Sequence, residues 1–295
     1  MKAYIFPGQG TQFPGMGKDL YDKSPIAKTY FKKANELLGY SISDVMFEGT
    51  NDDLKKTKYT QPAIFLHSYA LIKALGNDFK PDVVSGHSMG EISALAAIDV
   101  IDFDSALKLI NERSILMQRI CESESTGMAI VVGLYDVIVD NICRQVDGVV
   151  VPANYNTINQ VVISGNLKSI EQIKKNIGKT ARVINLKVGG AFHSPYMEPM
   201  VEEFKIIIDK IKFNKPICSI YQNVTARPTS NLESIKRNLI YQLTNPIKWR
   251  HTILHMLEDG VTNFVEVGAG KFLQSLVKKI DRTANVSTIK NTLIN

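Results

Sequence analysis

Short apolar runs alternate with amphipathic stretches through the first hundred residues, and this alternation limits the fold more than any other feature of the chain. The runs at 3–6 and 82–85 have the length and composition of buried strands. The stretches at 24–38, 61–75 and 89–97 have helical periodicity. Strands that take turns with helices in this way form parallel sheets covered by helices. The sequence therefore predicts an α/β core.

A different order of elements occupies residues 127–189. Because β-α-β-β-α-β is the ferredoxin-like arrangement, we expect an inserted ferredoxin-like small subdomain here. The flanking segments, 1–126 and 190–295, would then form one large subdomain. The elements predicted for the insert are strands at 128–132, 149–152, 161–164 and 182–188, with helices at 136–146 and 169–177.

After the insert, the chain returns to alternating helix and strand patterns. Helical periodicity occupies 201–210 and most of 234–257, which is interrupted at Asn245-Pro246. Strand-like runs occur at 217–221 and 264–267. These elements are expected to complete the large subdomain.

Composition excludes several classes of protein. The net charge of +6 comes from scattered lysine pairs without an aromatic-basic motif, so we do not expect nucleic-acid binding. Three distant cysteines, Cys121, Cys143 and Cys218, make neither a disulfide framework nor a metal-ligand set. No signal peptide and no apolar run of about 18 residues is evident. We therefore expect a cytoplasmic monomer that uses no cofactor and no metal and does not enter a membrane.

The segment Gly86-His87-Ser88-Met89-Gly90 fits the G-x-S-x-G nucleophile elbow. A strand-like DVVS precedes it and a helix-like EISALAA follows it, which is the context of an elbow in an α/β-hydrolase-like core. Ser88 is thus the candidate nucleophile, and the N–H of Met89 would point to a developing oxyanion. A glycine-bounded loop that merely contains a serine is the alternative.

A serine hydroxyl needs a positioned base, usually histidine, and the chain has only five histidines. His193 lies in GGAFHSPYM, a glycine-rich exit from the insert, where a loop can carry its ring back to the elbow. His251 and His255 share a helix face at metal-compatible spacing, but no nearby carboxylate or cysteine completes a site, which favours a surface helix. His67 is predicted to pack in the core, and His87 to support the elbow.

Several motifs together make the chain resemble a known family, the malonyl-CoA:acyl carrier protein transacylases of fatty-acid synthesis. The resemblance runs over nearly the full length and keeps the order of the family's motifs. The motifs are FPGQGTQ, TQPA, GHSMG, ERSILMQ, GAFHSPYM, QLTNP and EVGAGKFL.

The resemblance implies roles for the reacting residues. Ser88 matches the nucleophile and His193 its base. The family orients the imidazole with a backbone carbonyl instead of a carboxylate, and the matching residue is Gln242. The N–H groups of Gln9 and Met89 match the oxyanion hole.

The resemblance also implies how the acyl group is bound. Arg113 matches the arginine that pairs with the malonyl carboxylate, although from its helical position alone it would be a solvated charge. Phe192 matches a bulky residue that excludes a 2-methyl branch. Asn154 and Asn156 match polar residues that line the cleft, but the TIN that follows departs from the usual SPG.

The expected activity is that of an [acyl-carrier-protein] S-malonyltransferase, with malonyl-CoA and acyl carrier protein as partners. Transfer would be ping-pong through a serine ester. Three other functions stay open at this point. They are a freestanding acyltransferase of a polyketide synthase, a serine hydrolase, and a non-enzymatic scaffold that binds a carrier protein.

Overall fold

A computed structural model describes residues 1–268 and 270–289. Ala269 of the EVGAGKFL motif and residues 290–295 of the predicted large subdomain lie outside the described residues. The strands are β1 (Lys2–Phe6), β2 (Val83–Gly86), β3 (Thr126–Val132), β4 (Val150–Thr157), β5 (Gln160–Asn166), β6 (Arg182–Asn185), β7 (Ser219–Tyr221), β8 (Pro228–Thr229), β9 (Asn263–Glu266) and β10 (Asn285–Thr288).

Thirteen α-helices accompany these strands in the described part of the chain. Two short 3-10 helices, Gly76–Asp78 and Pro195–Met200, occur as well. The α-helices are α1 (Lys18–Lys23), α2 (Pro25–Leu38), α3 (Ile42–Phe47), α4 (Asn51–Lys55), α5 (Thr57–Leu75), α6 (Gly90–Ala97), α7 (Phe103–Ser123), α8 (Asp136–Gln145), α9 (Leu167–Ile177), α10 (Val201–Asp209), α11 (Leu232–Tyr241), α12 (Trp249–Glu258) and α13 (Phe272–Ile280).

The larger sheet has the strand order β10-β9-β1-β2-β7-β8. Every neighbouring pair in it is parallel except β7 and β8. Strands β1 and β2 are central, and helices pack on both faces, as their buried apolar runs require. The predicted α/β core with a mostly parallel sheet is confirmed.

The smaller sheet is antiparallel throughout, with the strand order β4-β5-β3-β6. Helices α8 and α9 bury Val139, Cys143, Ile170 and Ile173 against one face of this sheet. The chain order β3-α8-β4-β5-α9-β6 is the predicted ferredoxin-like arrangement. Strand β3 begins at Thr126, one residue before the predicted boundary, and the subdomain limits stay a prediction.

Some predicted bounds differ from those of the structure. Helix α5 begins at Thr57 and not at 61, because Pro62 is accommodated inside it. Proline leaves the carbonyl of Lys58 without its helical N–H, and the Ser114 hydroxyl, which donates to the carbonyl of Asn111 at 2.7 Å, lies 3.5 Å from it. Strand β6 ends at Asn185, short of the predicted 188. The short helices α1, α3 and α4, as well as α13 and β10, were not predicted.

A backbone bridge joins β4 of the smaller sheet to the segment between α11 and α12. The N–H of Tyr155 donates to the carbonyl of Ile247 at 2.9 Å, and the N–H of Ile247 donates to Ala153 at 2.8 Å. The break predicted at Asn245-Pro246 therefore carries the chain from α11 past β4 to α12. Among the described residues, no helix combines the length and the apolarity that crossing a bilayer would need.

Candidate active site

The turn between β2 and α6 holds Ser88 in a strained backbone conformation. Ser88 has φ of 55°, in the left-handed region that side chains with a Cβ rarely adopt. Its N–H donates to Asn223 Oδ1 at 2.8 Å, which fixes the turn from outside. A Cβ at Gly90 would lie 2.3 Å from the carbonyl oxygen of Phe6, so only glycine lets β1 pass this closely. The turn has the form of a nucleophile elbow.

The loop after β1 packs directly against this elbow. A Cβ at Gly8 would lie 2.6 Å from the carbonyl oxygen of His87, so glycine is required at this contact as well. The contact brings Gln9 to the wall of the same cleft as His87. Within residues 1–268 and 270–289, the N–H groups of Gln9 and Met89 have no hydrogen-bond acceptor. Both donors are therefore available for an oxyanion.

His193 completes a hydrogen-bonded pair with Ser88 across 105 positions of sequence. Ser88 Oγ lies 2.7 Å from His193 Nε2, and His193 Nδ1 lies 2.7 Å from the backbone carbonyl of Gln242. Because a carbonyl only accepts, Nδ1 carries the proton and the lone pair of Nε2 faces the serine. Burial, followed by the positive charge of Arg113, lowers the pKa of His193 to about 3. The ring is therefore neutral and able to accept a proton.

Arg113 points inward from α7 and is only 1% exposed. From its helical position alone, Arg113 would be a solvated charge, and that expectation is wrong. Its Nη1 donates to Gln61 Oε1 at 2.7 Å, while Nη2 donates to Gln242 Oε1 at 3.2 Å and to Ser88 Oγ at 3.3 Å. Burial lowers the pKa of Arg113 only to about 10, so it stays charged. Since a buried charge needs a counter-charge, this guanidinium beside the nucleophile favours an anionic ligand.

A cleft of about 350 Å³ lies between the two sheets beside the elbow, and Gln9 and His87 form part of its lining. Its small-sheet wall includes the amides of Asn154 and Asn156 and the apolar side chain of Val162. His87 Nε2 lies 3.3 Å from Asn156 Oδ1 and 3.4 Å from Asn154 Nδ2, which connects the elbow to that wall. Burial lowers the pKa of His87 to about 4, so it is neutral as well.

Phe192 lies beside the catalytic pair but within the main core. Its side chain is buried with that core, and its carbonyl accepts a hydrogen bond from the Ser164 hydroxyl at 2.6 Å. The predicted exclusion of a methyl branch by Phe192 stays a prediction.

The remaining histidines and the cysteines lie elsewhere. His67 is buried in α5, and His255 Nδ1 donates to the carbonyl of Ala226 at 2.7 Å. His251 stands edge-on to the ring of Tyr155. The described part of the chain holds no group of three or more side chains arranged to bind a metal ion.

Three polar residues of the site received no role from the sequence. Gln61 receives a hydrogen bond from Arg113 and donates to Gln9 Oε1 at 3.1 Å. Asn223 holds the N–H of Ser88, and Glu91 lies buried beneath the elbow. Gln61 lies in TQPA and Asn223 in NVTARP, so polar residues inside otherwise apolar elements were the available signal.

The chain is similar to known proteins over nearly its full length. A family model described as an acyl transferase domain matches residues 3–292. A malonyl CoA-acyl carrier protein transacylase of Staphylococcus aureus is 37% identical over 294 residues, which cover 98% of this chain and 95% of that protein. An acyl-carrier-protein-S-malonyltransferase of Bartonella henselae superposes with a TM-score of 0.95 at 34% identity, covering 99% of this chain and 96% of that one. A malonyl-transacylase solved in complex with a type II polyketide synthase acyl-carrier protein superposes with a TM-score of 0.93 at 32% identity, covering 99% and 97%.

Proposed function

The chain belongs to the acyl transferase family and, within it, to the malonyl CoA-acyl carrier protein transacylases, and we propose from this premise how its residues carry out the transfer. The enzyme moves a malonyl group from malonyl-CoA to the thiol of acyl carrier protein, a step of fatty-acid synthesis. The observation that carries the proposal is the hydrogen-bonded cluster of Ser88 with the buried His193 and Arg113.

In the first half-reaction, Ser88 Oγ attacks the thioester carbonyl of malonyl-CoA. His193 Nε2 takes the hydroxyl proton, and the tetrahedral oxyanion is stabilised by the N–H groups of Gln9 and Met89. The carbon–sulfur bond then breaks, and His193 returns the proton to the coenzyme A sulfur. The 2.7 Å contact between Ser88 and His193 supports this proton transfer without movement of either side chain.

The second half-reaction uses the same groups in reverse. His193 takes the proton of the carrier protein's thiol, whose sulfur attacks the malonyl ester. The carbon–oxygen bond to Ser88 breaks, and the serine oxygen recovers the proton from His193. One base and one oxyanion hole therefore serve both halves of a ping-pong reaction.

Arg113 would pair with the free carboxylate of the malonyl group through two parallel hydrogen bonds. Without that carboxylate, the guanidinium donates to Ser88 Oγ and keeps the pKa of His193 low. A bound carboxylate would draw the guanidinium from the serine and offset its charge. We propose that malonyl selectivity therefore acts on the chemical step as well as on binding, since acetyl groups leave that charge uncompensated.

Intact-mass analysis tests the proposal in two steps. Mixing the enzyme with malonyl-CoA should add one malonyl group, and the added mass should be absent from Ser88→Ala. Adding holo acyl carrier protein should then remove the group from the enzyme and place it on the carrier. A malonylated Ser88→Ala protein would refute the serine ester, and rapid release of free malonate without carrier would indicate a hydrolase.

A polyketide role is the second candidate, because one related malonyl-transacylase was solved with a polyketide carrier protein. The rates of transfer to a fatty-acid carrier and to a polyketide carrier separate the two roles. A clear preference for the polyketide carrier would assign the chain to that pathway.

A further inference from the structure

Glu91, the second residue of α6, is a fully buried carboxylate that the proposed mechanism does not use. Its Oε1 accepts a hydrogen bond from Gln222 Nε2 at 2.7 Å. Its Oε2 accepts from the N–H of Asn223 at 2.9 Å and from Gln242 Nε2 at 3.1 Å. Among the described residues, all of its hydrogen-bond partners are donors, and Arg113 acts on it only as a nearby positive charge.

Two of these partners hold the backbone of the nucleophile. Asn223 Oδ1 accepts the N–H of Ser88 at 2.8 Å, and Gln242 Nε2 donates to the carbonyl of Ser88 at 3.1 Å. Both peptide groups of a strained residue are thus fixed by side chains of residues that contact Glu91, Asn223 through its backbone N–H and Gln242 through its side-chain amide. Such a conformation persists only where its surroundings enforce it.

The same Gln242 also holds the base. Its backbone carbonyl accepts the Nδ1 proton of His193, which has φ of 56° and is strained like Ser88. The side chain and the backbone of one glutamine therefore contact both members of the catalytic pair. Within the described residues, Glu91 and Arg113 are the two charged groups that contact the side chain of this glutamine.

We propose that Glu91 is a positioning residue, whose carboxylate fixes Asn223 and Gln242 and thereby sets Ser88 against His193. The proposal rests on the proposed function, since it assigns Glu91 a part in forming the serine ester. In this role the buried carboxylate of Glu91 acts through Asn223 and Gln242 and does not touch the substrate.

The pocket accepts a carboxylate and not an amide. In Glu91→Gln, the new amide nitrogen would face either Gln222 Nε2 or the two donors at the other oxygen. Gln222 cannot simply flip, because its Oε1 accepts from Asn238 Nδ2 at 2.8 Å and its Nε2 also donates to the carbonyl of Ile235 at 3.2 Å. Glutamine at 91 would therefore push donors apart and displace the groups that hold the pair.

An exchange of the two side chains should restore the pattern. In Glu91→Gln with Gln222→Glu, the amide nitrogen at 91 donates to the new carboxylate at 222. The amide oxygen at 91 still accepts from Asn223 and Gln242, and Asn238 still has its acceptor, while the hydrogen bond from position 222 to the carbonyl of Ile235 is lost. A role confined to hydrogen-bond geometry predicts recovery in this double variant.

The test is single-turnover formation of the malonyl ester, quenched rapidly and followed by intact mass over a range of malonyl-CoA concentrations. For Glu91→Gln we expect the maximal rate to fall roughly 10-fold to 100-fold, as small misplacements of reacting groups do, with half-saturation changed less than about threefold. The exchange variant should recover to within about fivefold of the unsubstituted enzyme. Glu266→Gln is the matched control, because Glu266 is a buried carboxylate that accepts from the N–H groups of Leu273 and Gln274 outside the site. It should lower the melting temperature without lowering the maximal rate.

The inference is overturned if folded Glu91→Gln keeps the maximal rate of the unsubstituted enzyme, or if the exchange variant recovers nothing. If Glu91→Gln does not fold, Glu91→Asp is the test variant, because its carboxylate keeps the charge but lies one methylene further from the three donors. An unchanged rate in folded Glu91→Asp would equally refute the positioning role. If the unsubstituted enzyme forms no ester, the proposed function itself fails; a normal ester with an unaffected Glu91→Gln removes only this inference.

Discussion

The two walls of the cleft differ in chemistry. On the wall built on the parallel sheet, His87 of the elbow lines the cleft, and the next residue, Ser88, is hydrogen-bonded to the buried Arg113, which also contacts Gln242. The wall built on the antiparallel sheet presents amides and apolar side chains, of which Asn156 and Val162 are examples. We infer that bond making belongs to the first wall, while the second wall positions the acyl donor.

The difference follows from how each sheet ends. A parallel sheet brings the carboxyl ends of its strands to one edge, where loops and helix starts meet. Polar groups from β2, α7 and the segment after α11 converge there and are mutually hydrogen-bonded. Strand β4, by contrast, is an edge strand of its sheet. It contacts the segment between α11 and α12 through the bridge at Ile247.

The largest expected effect is on the first wall. His193→Ala should slow ester formation by about 10⁴-fold, because the serine loses its base. His251→Ala, on α12 outside the cluster, is the control and should stay within about twofold of the unsubstituted rate. Rapid-quench intact mass measures both. Comparable losses in the two variants would break the assignment of bond making to this wall.

Arg113→Ala should lower malonyl transfer roughly 100-fold, the value of two hydrogen bonds to a charged group, and lower acetyl transfer much less. The control is Arg119→Ala, six residues further along α7, where the arginine is exposed and pairs with Glu203 at 2.6 Å. Steady-state rates with malonyl-CoA and with acetyl-CoA give the ratio of malonyl to acetyl transfer for each variant. Equal losses for both donors would show that Arg113 does not read the carboxylate.

On the second wall, Asn156→Ala should raise the half-saturating concentration of malonyl-CoA by about 3-fold to 10-fold, the value of one neutral hydrogen bond. The maximal rate of ester formation should change less. Asn159→Ala, in the turn between β4 and β5, is the control and should change neither quantity. A fall in the maximal rate as deep as that of His193→Ala would mean that both walls carry chemistry.

The last expected effect is on stability against acid and leaves the catalytic comparison unchanged. Burial lowers the pKa of His67 to about 4, of His87 to about 4 and of His193 to about 3. Below about pH 6.5 the unfolded chain therefore binds protons that the folded chain resists, and the free energy of unfolding falls as pH falls from about 6.5 to 4.

Two glutamates oppose this trend, because burial raises the pKa of Glu91 to about 7 and also raises the pKa of Glu266, but they are outweighed by three histidines. Each histidine contributes a slope of roughly 1.4 kcal/mol per pH unit in that window. His67→Gln removes one group that binds a proton in the unfolded chain but not in the folded chain. Urea unfolding at several pH values should therefore show that the free energy of unfolding of this variant depends less steeply on pH. An unchanged slope would mean that His67 titrates normally in the folded chain.

The sequence predicted the parts of the molecule that local physics encodes. Periodicity in DVVS and EISALAA was enough to place the elbow between β2 and α6, and the order of elements was enough for the ferredoxin-like insert. The family resemblance, which is confirmed, selected His193 and Arg113 from many candidates. The helix start at Thr57 was missed, because a proline such as Pro62 is typical of the first turn of a helix.

Folding alone decided which polar groups meet. Ser88 contacts His193 across 105 positions and Gln242 across 154, and no local pattern reports such contacts. Whether Arg113 faces solvent or core depends on what covers α7, and Glu91 becomes the anchor of Asn223 and Gln242 only once distant segments pack above α6. Strand, helix and turn preferences act between neighbours in sequence, whereas buried hydrogen bonds are satisfied by whichever groups the packed chain brings together.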